Sequence, residues 1–401
     1  MTSPRPRLHR LFTILPMAAV AGLAVAYFGA IEPLPLVPPT TTAAWTVAAP
    51  AGAVPAVFQA RGGPGRSGVE SLTALLEVPD SRARLAMGDN LGPAVARQHI
   101  AFIGIHEHVR ALDLEADVTA WTAGLGGQVS TSPVIVGDLV VAMSGDTLHG
   151  LEFSNGDQRW NRALSPGSHS PLALGSVLYV GGADGVVRAI DSVVGAELWA
   201  KEVEGPLTGP LASDGRRVIA VTGSGSIIAF DPDGLPLWTQ TVAGVPVDGP
   251  VVADGVVYVA SGRAMYALDV ATGDLGWSVD VGSDIVAAPA VAYGLAYLST
   301  DLGEVVAINA ALGREAWRHQ VFQPVAGSPM VFGDTVVVLG EEGRMAALDA
   351  ARGGCQVVQP QVCSTRWQAW IPGSPSRNSA LIRVGDSYIL NTPPFILVFG
   401  A

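Results

Sequence analysis

Residues 250–277 carry a pattern of short apolar runs and turn residues that predicts four consecutive β-strands. The apolar runs are VVA, VVYVAS, MYALDV and LGWSVDV, and they are separated by Asp254-Gly255, Gly262-Arg263 and the turn 271–274. Valine and tyrosine favour strands, and Asp-Gly and Thr-Gly supply the positive φ that tight turns need. Because the apolar side chains of such a sheet fill both faces, it needs a covering layer on each side.

The unit recurs along the chain at a nearly constant spacing. Successive tryptophans are spaced by 39, 39, 39, 39, 40 and 50 residues, at Trp121, Trp160, Trp199, Trp238, Trp277, Trp317 and Trp367. A proline opens each unit, at Pro93, Pro133, Pro171, Pro210, Pro250, Pro289 and Pro329. An acidic residue or asparagine ends each third strand, at Asp113, Glu152, Asp191, Asp231, Asp269, Asn309 and Asp349. A four-stranded repeat of this length is typical of a β-propeller blade.

A turn residue precedes the tryptophans at a fixed distance. Glycine stands four residues before five of them, at Gly156, Gly195, Gly234, Gly273 and Gly313, and Asp117 takes this place in the first unit. Both residue types tolerate the left-handed backbone conformation, so a tight turn is expected before each outer strand.

The two ends of the repeat region complement each other. Residues 379–401 contain three strands of a unit and stop without a tryptophan, whereas Ala44-Trp45-Thr46 resembles the start of an outer strand. The sequence therefore predicts an all-β fold over residues 45–401, an eight-bladed β-propeller of four-stranded blades whose last blade is completed by the strand at Trp45. A seven-bladed ring with a loose tail is the alternative. Because each tryptophan would bury about 150–250 Å², we expect Trp45 and the seven repeat tryptophans to hold the blades together.

Residues 52–90 fit the repeat least well. The separation of Trp45 from Trp121 is close to two periods, so a degenerate ninth blade is one interpretation. We favour an insertion, because the turn-rich run ARGGPGRSG falls where a second strand should lie.

The motif ALD-x-x-x-G-x-x-x-W resembles the tryptophan-docking repeat of the PQQ-type β-propellers. It is clearest in residues 267–277 (ALDVATGDLGW) and 189–199 (AIDSVVGAELW), and the resemblance extends over residues 93–401. That family includes both quinoprotein dehydrogenases and BamB-type envelope assembly propellers. The resemblance therefore implies a fold and leaves the function open.

Composition and charge narrow the possible partners. The chain has 401 residues, of which 49% are hydrophobic and 14% charged, so it can bury a large core. All 35 acidic residues lie at or beyond Glu32, against 20 basic ones there, which gives this part a net charge of −15. Such a surface repels phosphate backbones and disfavours binding to nucleic acid.

The N-terminus predicts an extracytoplasmic location for the repeats. Residues 1–10 hold three arginines and no acid, and residues 11–31 are uncharged over 21 positions. This segment is long enough to cross a bilayer, with residues 1–10 in the cytoplasm and the Pro/Thr-rich residues 32–44 as a spacer. A cleaved signal peptide is the alternative, because Ala24-Val25-Ala26 fits a cleavage site and would release a secreted protein.

The last complete unit carries ten extra residues before its tryptophan. Cys355 and Cys363 lie in this excursion, eight positions apart. In an oxidising compartment we expect them to form a disulfide that fastens the excursion. A metal site would need further ligands, which the loop does not offer.

Other polar residues are weak candidates for chemistry. His106 and His108 flank Glu107 and would share a metal if alternate strand residues faced the same way, although an exposed turn is the simpler interpretation. The single histidines His149, His169 and His319 are expected on the surface. Turn aspartates recur at Asp138, Asp214, Asp254, Asp334 and Asp386, either as a ring of carboxylates or as ordinary turn residues.

Two functional hypotheses follow from the resemblance. A PQQ-dependent dehydrogenase would need cationic groups for the cofactor's carboxylates, oxygen ligands for Ca²⁺ and a catalytic carboxylate. Members that use PQQ typically carry a vicinal cysteine pair, which this chain lacks. We therefore favour a membrane-anchored, non-catalytic propeller without a cofactor that binds other envelope or membrane proteins, with PQQ and Ca²⁺ implied only by the enzymatic alternative.

The anchor hypothesis gives a first test. We expect the protein to stay with membranes after a high-salt wash, because an apolar segment as long as 11–31 is held by the bilayer rather than by charge. Tyr27 should be preceded by residues 11–26 in the mature chain, which N-terminal sequencing would reveal. A mature N-terminus at Tyr27 itself would instead establish cleavage.

Overall fold

The computed structural model describes residues 57–58, 66, 69–71, 81–86, 92–129, 131–356, 362–376, 379–384 and 387–400. The N-terminal segments 1–10, 11–31 and 32–44 and Trp45 lie outside these residues. The described part of the chain has no helix long and apolar enough to cross a membrane. The anchor, the spacer and the signal-peptide alternative therefore stay predictions.

The described residues form an all-β, eight-bladed propeller of four-stranded antiparallel blades, as predicted. Three short strands precede the repeats: β1 Val57–Phe58, β2 Val69–Ser71 and β3 Ser81–Ala86. Blades 1 to 4 are β4 Val95–Arg97, β5 Ile100–Ile105, β6 His108–Asp113, β7 Val118–Gly124; β8 Val134–Val136, β9 Leu139–Ser144, β10 Thr147–Glu152, β11 Gln158–Ala163; β12 Leu172–Leu174, β13 Val177–Gly181, β14 Val186–Asp191, β15 Glu197–Glu202; and β16 Ala212–Ser213, β17 Val218–Val221, β18 Ser226–Phe230, β19 Pro236–Thr241.

The remaining blades follow the same order, with the first strand innermost and the fourth outermost. Blades 5 to 7 are β20 Val251–Ala253, β21 Val256–Ser261, β22 Ala264–Asp269, β23 Leu275–Asp280; β24 Ala290–Ala292, β25 Leu295–Ser299, β26 Glu304–Asn309, β27 Glu315–Gln320; and β28 Met330–Phe332, β29 Thr335–Gly340, β30 Arg344–Asp349, β33 Trp367–Trp370, with the hairpin β31 Cys355–Gln356 and β32 Val362–Cys363 between the last two strands. Blade 8 contains β34 Leu381–Val384, β35 Ser387–Thr392 and β36 Phe395–Gly400.

The core lies between neighbouring blades. The second and third strands are almost wholly buried because both of their faces are covered by adjacent sheets. Tyr258 and Met265 of blade 5, for example, pack with Leu298 and Val306 of blade 6. This packing explains the nearly continuous apolar runs in the sequence.

Six of the interblade contacts are centred on a tryptophan of one blade and a turn of the next. The indole of Trp238 donates a hydrogen bond to the carbonyl oxygen of Val270 at 3.0 Å, and its ring covers Gly273. The same indole-to-carbonyl bond joins Trp121 to Phe153, Trp160 to Ser192, Trp199 to Pro232, Trp277 to Ala310 and Trp317 to Ala350. In these six contacts the indole of one blade lies against the turn of the following blade.

The residue that ends the third strand shapes the same turn. The carboxylate of Asp269 accepts hydrogen bonds from the backbone N–H groups of Ala271 and Thr272, at 2.8 and 2.9 Å. These bonds favour the charged form and lower the pKa of Asp269. Asp113, Asp191, Asp231, Asn309 and Asp349 cap their turns in the same way. The recurring acid is thus a structural part of the docking turn.

The eighth blade takes its outermost strand from residues 81–86. Strand β3 pairs antiparallel with β36, and Ala83 lies opposite Val398. In the other blades the equivalent pair is formed by the docking tryptophan, as with Ala267 and Trp277, and the same register shift follows. Ala83 therefore holds the position that we had predicted for Trp45, and that assignment is wrong.

The described strands of residues 52–90 do not form a ninth blade. The three strands in this span pair with three different sheets: β1 with β8 of blade 2, β2 with β28 of blade 7, and β3 with β36 of blade 8. The sequence showed an irregular segment here but gave no sign of these pairings.

The docking contact predicts a difference between two glycine substitutions. Gly273 and Gly255 both have positive φ, of 77° and 80°. A Cβ at Gly273 would meet the ring of Trp238 at 2.6 Å, whereas nothing lies within 4 Å of a Cβ at Gly255. Gly255→Ala should cost about 1 kcal/mol through backbone strain, and Gly273→Ala should cost about 1–3 kcal/mol more through overpacking. Denaturant unfolding of both variants measures this difference, and equal losses would contradict the docking role.

Candidate functional site

In each of two blades, the residue directly before the docking tryptophan is an arginine that bonds two turns of its own blade. In blade 2, Arg159 bonds the carboxylates of Asp138 and Glu152. In blade 7, Arg366 bonds Asp334 at 2.7 and 2.8 Å and Asp349 at 2.7 Å. The guanidinium therefore fastens the first turn of the blade to the end of its third strand.

Blades 3 and 4 carry leucine at this position. Leu198 and Leu237 are 53% and 48% exposed, although each occupies the place of a bonded arginine in the other two blades. Other large apolar side chains surround the same turns: Val193 and Val194 in blade 3 are 56% and 62% exposed, and Leu235 in blade 4 is 61% exposed. We call these five residues the apolar rim.

The apolar rim is a candidate binding surface. Its residues lie in the docking turns and the first part of the outermost strands β15 and β19, so the rigid interblade contact of Trp199 fixes them in place. Exposed apolar side chains that cluster on one edge of a soluble fold usually mark contact with another protein or an apolar ligand. The sequence places Leu198 and Leu237 directly before their tryptophans, but only the structure shows that Arg159 and Arg366 at this position bond two turns of their blades.

The turn aspartates are not a free ring of carboxylates. Asp138 and Asp334 are held by the arginines just described, and these bonds lower the pKa of both carboxyls. Asp214 pairs with Arg217 at 2.7 Å, and Asp254 adopts a φ of 49°. Asp386 lies outside the described residues. Each described aspartate therefore serves its own turn.

Two of the single histidines are buried, contrary to our expectation. His149 is 5% exposed, and its ring nitrogens lie 3.1 Å from the Ser144 hydroxyl and 2.7 Å from the Gln158 side-chain oxygen. His319 on β27 is also 5% exposed. His149 lies on the third strand β10, which is buried, and His319 bonds the backbone at Gly353 of the next blade, which strand periodicity alone does not reveal. His169 is half-buried, and its Nε2 lies 3.1 Å from the Leu207 carbonyl oxygen.

The predicted pair of imidazoles in blade 1 does not lie on one strand. His106 and Glu107 are the two turn residues between β5 and β6, and His106 has a φ of 51°. His108 begins β6, so the alternation assumed for a shared metal does not apply. An open cavity of about 270 Å³ is lined by these three residues and Gln128. Within the described residues, no three His, Cys, Asp or Glu side chains converge as metal ligands.

Cys355 and Cys363 face each other in register across the short hairpin β31–β32. This hairpin connects the third strand of blade 7 to the outermost one, so it lies on the side of the blade away from the channel. The register places the cysteines where a disulfide requires them, and the bond itself stays a prediction.

The central channel contains part of the N-terminal segment. Strands β1 and β2 add to β8 and β28, which are the innermost strands of blades 2 and 7. Between them, Arg66 is 6% exposed and donates hydrogen bonds to the carbonyl oxygens of Leu211 at 2.8 Å and Pro171 at 3.2 Å. The protein's own backbone thus takes up space along the channel wall.

The four-stranded blades and the tryptophan docking define a β-propeller of the PQQ type. A family model described as outer membrane protein assembly factor BamB matches residues 77–183, 183–287 and 262–357, which together cover well over half of the chain. The chain belongs to this BamB-type family.

Individual relatives support this placement. BamB of Bordetella pertussis is 28% identical over 215 residues, covering 49% of this chain and 56% of that protein. The serine/threonine-protein kinase AfsK of Streptomyces griseus is 28% identical over 390 residues, covering 79% of this chain and 47% of that protein. The crystal structure of BamB from Moraxella catarrhalis has a TM-score of 0.63 at 18% identity, over 81% of this chain and 98% of that chain. The chain thus spans little more than half the length of the BamB relative and less than half of the kinase.

The buried His319 predicts a pH dependence of stability. Burial disfavours the imidazolium and lowers the pKa of His319 from 6.5. A hydrogen bond with the Gly353 backbone raises this pKa, but its effect is smaller than that of burial. The unfolded chain therefore binds more protons as the pH falls through 6.5, and the folded protein loses stability there. His319→Gln should lose less stability than wild type between pH 7.5 and 5.5 in denaturant unfolding. The exposed His106→Gln serves as the control, and identical pH profiles for wild type and His319→Gln would contradict this assignment.

Proposed function

We propose that this protein is a non-catalytic, membrane-anchored extracytoplasmic propeller that binds other proteins of the cell envelope, and that the apolar rim of blades 3 and 4 is its contact surface. The observation that carries the proposal is the exchange of a bonded arginine for exposed leucine at Leu198 and Leu237. A leucine in this place fastens no turn. Contact with an apolar segment of a partner would give these exposed side chains a role.

The match to the BamB-type family also favours a protein-binding role. Its described members are assembly factors for outer membrane proteins, a role that depends on contact with other proteins. Most repeated polar residues in this chain have structural partners within their own blade or turn, as the capping aspartates do. These residues already have structural roles, and a protein-binding function does not require them to act in catalysis as well.

The quinoprotein alternative has less support. The two cysteines lie on the outer side of blade 7, whereas the resemblance implies a vicinal pair for members that use PQQ. Arg66 is directed to backbone carbonyl oxygens, and strands β1 and β2 line the channel. A cofactor in that channel would have to share it with this segment.

In-cell photocrosslinking tests the contact surface. A photoreactive amino acid at position 235 should yield defined crosslinks to envelope proteins in the native organism. Leu198→Glu with Leu237→Glu should reduce these crosslinks about tenfold, because burying a carboxylate against an apolar partner is costly. Val118→Glu is the matched control: Val118 is 54% exposed at the start of the outermost strand of blade 1.

The outcomes separate the two functions. Crosslinks that persist in the double variant, with melting temperatures unchanged, would remove the apolar rim from the proposal. Saturable binding of PQQ with Ca²⁺ and substrate-dependent dye reduction by the purified protein would favour the dehydrogenase instead.

A further inference from the structure

The structure points to a plug built into the chain: we infer that the segment formed by β1, Arg66 and β2 fills the central channel and links blades on opposite sides of the ring. This role is separate from the binding surface of blades 3 and 4 at the outer edge. It rests on strand pairing, side-chain hydrogen bonds and contacts of the described residues.

The first support is the place where the two short strands pair. The edge of an innermost strand faces the channel, and its N–H and C=O groups have no further strand of their own blade to bond. Strand β1 occupies this edge of β8 antiparallel, with Val57 opposite Val136, and β2 occupies this edge of β28 in parallel, with Val69 opposite Val331. Among the described sheets, blades 2 and 7 are the ones extended to five strands.

The second support is the spread of contacts around the channel. Strand β1 also contacts β4 of blade 1, and β2 contacts β24 of blade 6 and β34 of blade 8. Arg66 bonds the residues that directly precede the innermost strands of blades 3 and 4. Adding the paired blades 2 and 7, the segment meets the inner layer of seven of the eight blades. A loop lying on one face of the ring would not reach so many.

The third support is the chemistry of Arg66. Its side chain is 6% exposed, and its Nε and one terminal nitrogen bond carbonyl oxygens from two adjacent blades. A guanidinium can do this because its donors are arranged as a rigid fork, whereas a lysine ammonium offers one compact charge. Arg66 also has a φ of 52°, a conformation that non-glycine residues rarely adopt without support from surrounding contacts.

As a consequence, a segment of the same chain occupies the channel. A molecule that enters the channel would share it with β1, β2 and the side chain of Arg66. Strand β3, which follows β2 in the sequence, completes blade 8 by pairing with β36.

Disulfide trapping tests the position of the plug in the full-length chain. With Cys355 and Cys363 replaced by serine, Val57→Cys with Val136→Cys should crosslink under mild oxidation, because directly opposed residues on paired strands lie within disulfide range. Val57→Cys with Val252→Cys is the matched control, since Val252 lies on the innermost strand of blade 5. A folded protein that fails to crosslink in the first pair, or crosslinks equally in both, would overturn the plug.

Hydrogen exchange tests the role of Arg66 without any new crosslink. In Arg66→Ala, the amides of β8 and β28 should exchange at least about tenfold faster than in wild type, while those of β21 and β22 stay protected. Arg66→Lys should also accelerate exchange, because it keeps the charge but loses the fork. Arg263→Ala, which removes an arginine with a 54% exposed side chain, should leave β8 and β28 unchanged. Wild-type exchange in Arg66→Ala would show that Arg66 does not hold the plug.

Discussion

The stacking of a tryptophan on the glycine turn of the next blade is the interaction on which this structure depends. A four-stranded blade cannot cover its own two faces, so its stability comes from its neighbours. The indole supplies a large apolar area, and its N–H satisfies a carbonyl oxygen of the adjoining turn, as in the contact of Trp238 with Val270. The turn can approach so closely because Gly273 has no Cβ to meet the ring. Sequence period, turn chemistry and blade packing are therefore consequences of one contact geometry.

Much of this architecture could be predicted from the sequence because the contact repeats. The docking tryptophans, the capping aspartates and the four strands of each unit all recur at a fixed spacing, so each unit supports the interpretation of the others. Seven blades follow from that count, and the three strands of residues 379–401 add an eighth. The prediction failed where the repeat carries no marker. Strand β3 has the sequence SRARLA, with Ala83 at the docking position, and pairs with the last strand of the propeller. An orphan tryptophan at position 45 was a more visible candidate than an unremarkable hexapeptide.

The candidate site was harder to predict than the fold, for related reasons. Exposed leucines are common on protein surfaces, and Leu198 and Leu237 become informative only beside Arg159 and Arg366 in equivalent positions. The strands of the channel segment pair over two or three residues, too few to leave a pattern in the sequence. His319 was predicted to be exposed but is buried, because its burial depends on the neighbouring blade rather than on its own strand. Local periodicity predicts the strands within a blade well, but it does not predict contacts between blades.

The eighth blade combines an early strand with the last three strands described, and this affects how the protein folds during translation. Strand β3 leaves the ribosome early, but its partner β36 begins only at Phe395, after all of the other strands have been made. At translation rates of about 5–20 residues per second, the wait is on the order of 15 to 60 s. During this interval the first seven blades can form in order, yet both the edge of β3 that pairs with β36 and the flank of blade 1 remain uncovered. The nascent chain would therefore expose strand edges until β36 is made, and a holding chaperone would have its greatest effect before that stage.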